Sequence, residues 1–238
     1  MSTVYQFDSN GLDFGIFGVS MKKGSIVNLT AKHVKKTMYG EGTGHDWWHV
    51  YRVWNIAKRI AKTEKNADIE VVELGALLHD IKDWKFSNGD MKVGEKAARD
   101  WLESIDADPE IADKVCYIVG NVSFKGSGVK DKMKTLEGRI VQDADRIDAI
   151  GAIGIARCFA YGGYKGRQIY DPGIKPVMHK TFAAYKSSEG TSVNHFYEKL
   201  LLLKDRMHTR EGKRIAAERD RFIREYLDRF MNEWEGRK

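Results

Sequence analysis

Proline and cysteine are scarce in this 238-residue chain, which has three prolines and two cysteines. So few prolines, beside abundant alanine, leucine, lysine and arginine, favour a mostly helical fold. Cys116 and Cys158 lie in apolar helical patterns and are expected to be reduced core residues, which argues against a disulfide-rich secreted domain and favours the cytoplasm. No apolar run approaches membrane-spanning length. The apolar stretch over residues 15–19 is too short for the hydrophobic region of a signal peptide, and no basic segment precedes it.

A long basic run is also missing, although the net charge is +6. The charges are mixed along the chain, without a basic stripe of interleaved aromatics or a helix-turn-helix signal, so a nucleic-acid partner is not expected. The positive balance does suit small anionic ligands. No linker or internal repeat marks a second domain. We therefore predict one all-α helical domain over residues 29–238, preceded by an N-terminal extension, residues 1–28, of no predicted structure.

The central stretch is residues 74–80, an apolar helix ending in His79 and Asp80. Such a pair is by itself most often a helix terminus with a satisfied histidine. A helix predicted over 45–64 carries His49 on its apolar stripe, with His45 and Asp46 at its start. A neutral imidazole and a carboxylate from one helix, and a second imidazole from another, suit a shared metal ion.

A third helix is predicted over residues 136–159, and it carries Asp143, Asp145 and Asp148. Its periodicity does not choose among them, because Asp143 and Asp145 lie about equally far to either side of the apolar stripe and Asp148 lies within it. Two imidazoles and two carboxylates suit a divalent ion that accepts mixed nitrogen and oxygen ligands, such as manganese, Fe²⁺ or Co²⁺, with Ni²⁺ or Mg²⁺ also open. The lack of cysteine ligands argues against a structural zinc.

This H…HD…D arrangement resembles the HD superfamily of metal-dependent phosphohydrolases, which implies an HD-domain helical bundle. The resemblance assigns the metal to His49, His79, Asp80 and Asp145. It leaves His45, Asp46, Asp143 and Asp148 as supporting residues around these ligands.

Further motifs resemble one bacterial subgroup, the manganese-dependent HD-domain nucleotide pyrophosphohydrolases, from about residue 30 to the C-terminus. Residues 1–28 find no counterpart there. The motifs are Gly44-His45-Asp46-x-x-His49, His79-Asp80-Ile81-x-Asp83-Trp84-Lys85-Phe86, Asn121-x-Ser123-Phe124-Lys125-Gly126, Asp143-Ala144-Asp145-Arg146-Ile147-Asp148, Tyr161-Gly162-Gly163-x-Lys165-Gly166-Arg167 and Asn194-His195-Phe196-Tyr197-Glu198-Lys199-Leu200.

The same resemblance implies catalytic roles. Asp80 acts as a ligand, and Asp83, three residues later, is the candidate acid/base group, with an exposed loop aspartate as the alternative. The phosphate-binding candidates, each with solvation as the alternative, are Lys125, Arg167 and Lys199.

Two aromatic residues, Tyr170 and Trp84, are candidates to stack on a base. Hydrophobic packing is the stronger interpretation for Trp84.

Three functions remain open at this point. The first is hydrolysis of a nucleoside triphosphate to monophosphate and pyrophosphate. The second is a nucleoside monophosphate phosphatase or another HD phosphodiesterase, and the third is a metal-stabilised regulatory or binding protein. The expected partner is a small-molecule nucleotide; a homodimer is an open alternative, and no membrane partner is expected.

Overall fold

The computed structural model describes residues 26–40, 44, 46–82, 92–124, 126, 128–178, 181 and 190–237. Within these residues the chain forms nine α-helices and one 3₁₀-helix, which confirms the all-α prediction. The α-helices are α1 (Ile26–Met38), α2 (Trp47–Ala61), α3 (Ile69–Leu78), α4 (Val93–Ser104), α5 (Pro109–Asn121), α6 (Leu136–Asp148), α7 (Gly151–Tyr164), α8 (Ser192–Glu198) and α9 (Arg210–Trp234), with the 3₁₀-helix at Leu200–Arg206 between the last two. No described helix combines the length and the apolar character needed to span a bilayer.

Helix starts follow from capping side chains. Asp108 accepts hydrogen bonds from the first-turn N–H groups of α5, and Pro109 occupies the first turn. Asp46 caps α2 by accepting from the His49 N–H. The helix predicted over 45–64 therefore begins at Trp47, because Asp46 has the extended backbone of an N-cap.

Helix α3 forms the centre of the core. It packs against α1, α2, α5 and α6, and Leu74, Leu77 and Leu78 are wholly buried. Gly75 allows the close approach of α5 and α6, since a Cβ there would lie 3.2 Å from Ile118 and 3.4 Å from Val141. A continuous apolar helix is therefore fixed on several sides, which holds its C-terminal end in place.

The single long helix predicted over residues 136–159 is wrong, because the chain forms α6 and α7 instead. Helix α6 ends at Asp148 and α7 begins at Gly151. Gly151 has φ +77°, a left-handed conformation that interrupts a helix and favours glycine. Arg219 of α9 packs beside it, with its Cγ 3.0 Å from where a Cβ would lie. Helix α7 then runs to Tyr164.

The C-terminal part contains two α-helices with the 3₁₀-helix between them. Thr191 caps α8, and the apolar residues that follow continue as the 3₁₀-helix. Helix α9 packs on α7 and α6. Phe159 of α7 contacts the rings of Phe196, Tyr226 and Phe230.

Candidate metal centre

The first turn of α2 presents His49 to the interior. Its side chain is fully buried, and its backbone N–H donates to the Asp46 carboxylate at 2.9 Å. The N-cap therefore fixes the backbone of the turn that carries the imidazole. Asp46 thus supports His49 through the backbone.

The end of α3 supplies His79 and Asp80. His79 is the C-cap residue, and its Nδ1 lies 2.8 Å from the Ala76 carbonyl oxygen. Because a carbonyl can only accept, Nδ1 carries the proton and Nε2 keeps a free lone pair. Asp80 follows directly, with 15% of its side chain exposed.

Four ligand atoms converge between α2, α3 and α6. His49 Nε2 lies 3.1 Å from His79 Nε2, 3.3 Å from Asp80 Oδ2 and 3.6 Å from Asp145 Oδ1. His79 Nε2 lies 3.7 Å from Asp80 Oδ2 and 3.8 Å from Asp145 Oδ1.

These spacings fit one divalent cation. Ligands about 2.1 Å from an ion and at right angles to one another lie about 3 Å apart, close to the distances found. The ligand atoms of His49, His79 and Asp145 form a group that could hold a metal ion, all within 4.8 Å of one another. Asp145 is 28% exposed, so the cluster opens toward solvent on the α6 side.

Asp148 lies behind His49. Its buried carboxylate accepts from His49 Nδ1 at 2.7 Å, Arg52 Nε at 2.7 Å and Arg157 Nη1 at 2.9 Å. Burial raises the pKa of Asp148, but the hydrogen bonds from His49 and Arg52 and the nearby positive charge outweigh it. The pKa therefore falls well below its ordinary value. Asp148 is thus ionised, and it contacts the His49 nitrogen opposite the one that faces the other ligand candidates.

The electrostatics of His49 reflect the same contacts. Burial and the charge of Arg157 lower its pKa, while hydrogen bonds to Asp148 and Asp80 raise it more strongly. The net result is a pKa above the ordinary value for histidine. A cation at the cluster would replace the proton on Nε2, the nitrogen that faces Asp80.

Asp143 does not support the ligands, which corrects the prediction for this residue. Its carboxylate is buried and accepts from the N–H groups of His208 and Thr209 and from the Thr209 hydroxyl, at 2.7–3.1 Å. It joins α6 to the start of α9. The physical reason is its position on the helix, which directs it away from the face that carries Asp145.

Two positive side chains lie beside the Phe124 ring. Lys199 Nζ lies 5.4 Å and Arg206 Cζ 4.9 Å from the ring centre. Sequence reasoning missed Arg206, which lies in no quoted motif.

Tyr170, predicted to stack on a base, instead packs edge-on against Trp234 of α9 at 5.0 Å between ring centres. It also contacts Phe230 in the same way. The hydrophobic contact explains its aromatic character, so the base-stacking prediction is not supported.

Four other predicted positions, His45, Asp83, Trp84 and Lys125, lie outside the described residues. The roles assigned to them stay predictions.

The family comparison agrees with this geometry. The family profile of the HD domain matches residues 47–150, the segment that contains all four ligand candidates. The curated protein YpgQ of Bacillus subtilis, described as uncharacterized, is 37% identical over 195 residues, which cover 82% of this chain and 86% of YpgQ. This chain belongs to the HD superfamily.

Several solved structures share the fold. A protein from Lactobacillus plantarum has a TM-score of 0.78 and 34% identity, covering 88% of this chain and 97% of its own. An HD-superfamily hydrolase from Bacillus thuringiensis has a TM-score of 0.67 and 40% identity, covering 88% and 96%. B. subtilis YpgQ in complex with ADP has a TM-score of 0.67 and 31% identity, covering 89% and 100%. These relatives support a hydrolytic function for this HD-superfamily chain.

Proposed function

We propose that this protein hydrolyses nucleoside triphosphates to a nucleoside monophosphate and pyrophosphate, with one divalent cation held by His49, His79, Asp80 and Asp145. The observation that carries the proposal is the convergence of two imidazole nitrogens and two carboxylate oxygens, 3.1–3.8 Å apart in the measured pairs. Mixed nitrogen and oxygen ligands of this kind suit manganese among the first-row ions.

A cation held there lowers the pKa of water and neutralises charge on a phosphate. The chain's own contribution is to hold the ligands rigidly and to keep one side of the cluster accessible. The backbone carbonyl of Ala76 orients His79, and Asp148 orients His49. We assign the acid/base role to Asp83 by resemblance to related nucleotidases, since it follows Asp80 by three residues.

Three positive side chains suit the outer phosphates of a triphosphate. Lys199 and Arg206 lie beside the same Phe124 ring, and Arg167 is the third candidate, taken from its motif. Lys125 follows Phe124 directly in the sequence and is a fourth candidate. Cations placed beside a departing pyrophosphate stabilise the charge that develops on it. ADP bound to YpgQ is consistent with a nucleotide ligand for this fold.

A phosphatase acting on monophosphates is the second candidate. A monophosphate has no β- or γ-phosphate to pair with the positive side chains near Phe124. We therefore expect it to be a poor substrate. The cationic grouping therefore favours the triphosphate.

A nucleotide panel tests the proposal. Nucleoside tri-, di- and monophosphates are incubated with the protein and Mn²⁺, and the products are resolved by chromatography. We expect monophosphate and pyrophosphate from triphosphates, and no turnover when EDTA replaces Mn²⁺. The variant Asp145→Asn should be inactive, while Asp205→Asn, a change on the exposed surface, should match the wild type. Inorganic phosphate released from monophosphates would instead establish the phosphatase. If no nucleotide turns over and chelation unfolds the chain, the metal is structural.

A further inference from the structure

The end of α6 holds a buried carboxylate with an unusual number of donors. Asp148 has no exposed surface and accepts four hydrogen bonds from three residues. One comes from His49 Nδ1, two from the Nε and Nη2 of Arg52, and one from Arg157 Nη1, at 2.7–3.1 Å. Two guanidinium groups therefore surround a single carboxylate behind the candidate metal ligand.

This arrangement fixes the proton on His49. A carboxylate held by two arginines is ionised and can only accept, so His49 Nδ1 must be the donor. The Nε2 atom then carries the lone pair that faces His79, Asp80 and Asp145. If the proton moved to Nε2, His49 could not bind a cation, so the affinity depends on Asp148 holding this tautomer.

Arg157 lies on α7, and it contacts both Asp148 at the end of α6 and Gly44 before α2. Its side chain packs against Gly44, just before the N-cap of α2, where a Cβ would lie 3.4 Å from Arg157 Cγ and Nε. Gly44 has φ +85°, so glycine suits both its backbone and this contact. The break between α6 and α7 lets the chain reverse, so that residue 157 returns to residue 148. Arg157 therefore joins α7, the end of α6 and the segment that leads into His49.

We propose that Asp148 and Arg157 are positioning residues that hold His49 in its Nδ1-protonated tautomer and thereby set the affinity of the site for a divalent cation. The claim about cation affinity rests on the function proposed above. The claim about the His49 tautomer concerns the metal-free protein alone. Arg52 shares the task, since it supplies two of the four hydrogen bonds.

The first measurement reads the tautomer directly. Long-range ¹H–¹⁵N NMR of the metal-free, full-length chain, at a pH where His49 is neutral, distinguishes protonated Nδ1 from protonated Nε2. We expect the Nδ1-protonated form in the wild type, and a shift toward the other tautomer in Asp148→Asn and Arg157→Met. Arg157→Lys should restore part of the wild-type signal. Arg224→Met is the matched control, because Arg224 pairs with the buried Asp220 within α9, a pair that does not include His49.

The second measurement is the Mn²⁺ affinity of the same proteins by calorimetry. Loss of an outer partner of a ligating histidine weakens metal binding by roughly 10–100-fold. We expect Asp148→Asn to lose Mn²⁺ affinity within this range. Arg157→Met should lose less, because Arg52 still holds Asp148, and Arg224→Met should keep the wild-type affinity.

The outcomes separate the two claims. An unchanged His49 tautomer in both Asp148→Asn and Arg157→Met overturns the positioning role, and a changed tautomer with unchanged Mn²⁺ affinity overturns the link to the metal. If the wild type binds no Mn²⁺, the proposed function is contradicted. The tautomer measurement then still decides whether Asp148 and Arg157 position His49. If Asp148→Asn does not fold, as circular dichroism would report, the Arg157→Met and Arg157→Lys pair decides the question.

Discussion

Asp143 and Asp145, two residues apart on α6, serve different parts of the molecule. Asp145 Oδ1 lies 3.6 Å from His49 Nε2 in the candidate metal centre. Asp143 is fully buried, and its carboxylate accepts hydrogen bonds from three donor groups at the start of α9. One helix therefore carries a candidate ligand on one side and a structural anchor on another.

Substitution of these two aspartates should have opposite effects. Asp143→Ala leaves the N–H groups of His208 and Thr209 without their acceptor, which should lower the free energy of unfolding by about 1–3 kcal/mol. Asp145→Ala should leave it nearly unchanged and abolish Mn²⁺ binding. Urea unfolding in EDTA and Mn²⁺ calorimetry on both variants check this. Loss of stability in Asp145→Ala with metal binding retained would reverse the assignment.

Asp80→Ala should abolish metal-dependent turnover with little loss of folding. The backbone of α3 is held by Leu74, Leu77 and Leu78, and removing one carboxylate relieves repulsion in the metal-free cluster. Turnover at saturating Mn²⁺ and the melting temperature in EDTA are the two readings. The control is Asp205→Ala, whose side chain is 80% exposed. Wild-type turnover by Asp80→Ala at saturating Mn²⁺ would exclude Asp80 as an essential ligand.

Gly151→Ala should destabilise the junction of α6 and α7 by about 1–2 kcal/mol, the cost of a left-handed conformation for an L-residue. A Cβ there would also press on Arg219. Gly163→Ala, in the same helix with no atom within 4 Å of the added Cβ, should be neutral or stabilising by up to about 1 kcal/mol. Denaturant unfolding of both variants gives the comparison. Equal stabilities would show that the left-handed residue is not what breaks the helix.

The stability of the α2–α9 contact should depend on acidity. The hydrogen bond from Arg214, followed by that from Arg59, lowers the pKa of Glu211 from 4.5 to about 2. A depressed carboxyl pKa contributes stability that is fully present above the unfolded value of 4.5 and lost as the pH falls through 2.

The difference in melting temperature between the wild type and Glu211→Gln should therefore shrink from pH 5 to pH 3. Arg229→Gln, which removes an exposed pair within α9, is the comparison for general surface effects. A difference that stays constant over this range would contradict the assigned cause.

Much of this architecture can be predicted from the sequence. Apolar periodicity locates α2 and the C-terminal end of α3 to within a few residues, because local forces decide them. The convergence of His49, His79 and Asp80 follows from two such helices packing together. Periodicity alone could not separate Asp145 from Asp143, since both flank the same stripe and their surroundings come from distant helices.

The remaining features depend on tertiary contacts. The helix breaks before Gly151, although the apolar pattern of the sequence continues across the break. Arg219 from α9 packs beside Gly151. Arg157 and Arg206 occupy positions that have no sequence signal, since an arginine is usually solvated. Only the folded chain shows that Arg157 reaches Asp148 and that Arg206 reaches Phe124.

Hydrolysis of a nucleoside triphosphate in ¹⁸O-labelled water with Mn²⁺ tests the central proposal most directly. Attack at the α-phosphorus, with pyrophosphate as the leaving group, places the label in the nucleoside monophosphate. Mass spectrometry of the separated products reads its position. We expect the label in the monophosphate alone; label in pyrophosphate or free phosphate would mean attack at another phosphorus and would contradict the pyrophosphohydrolase account.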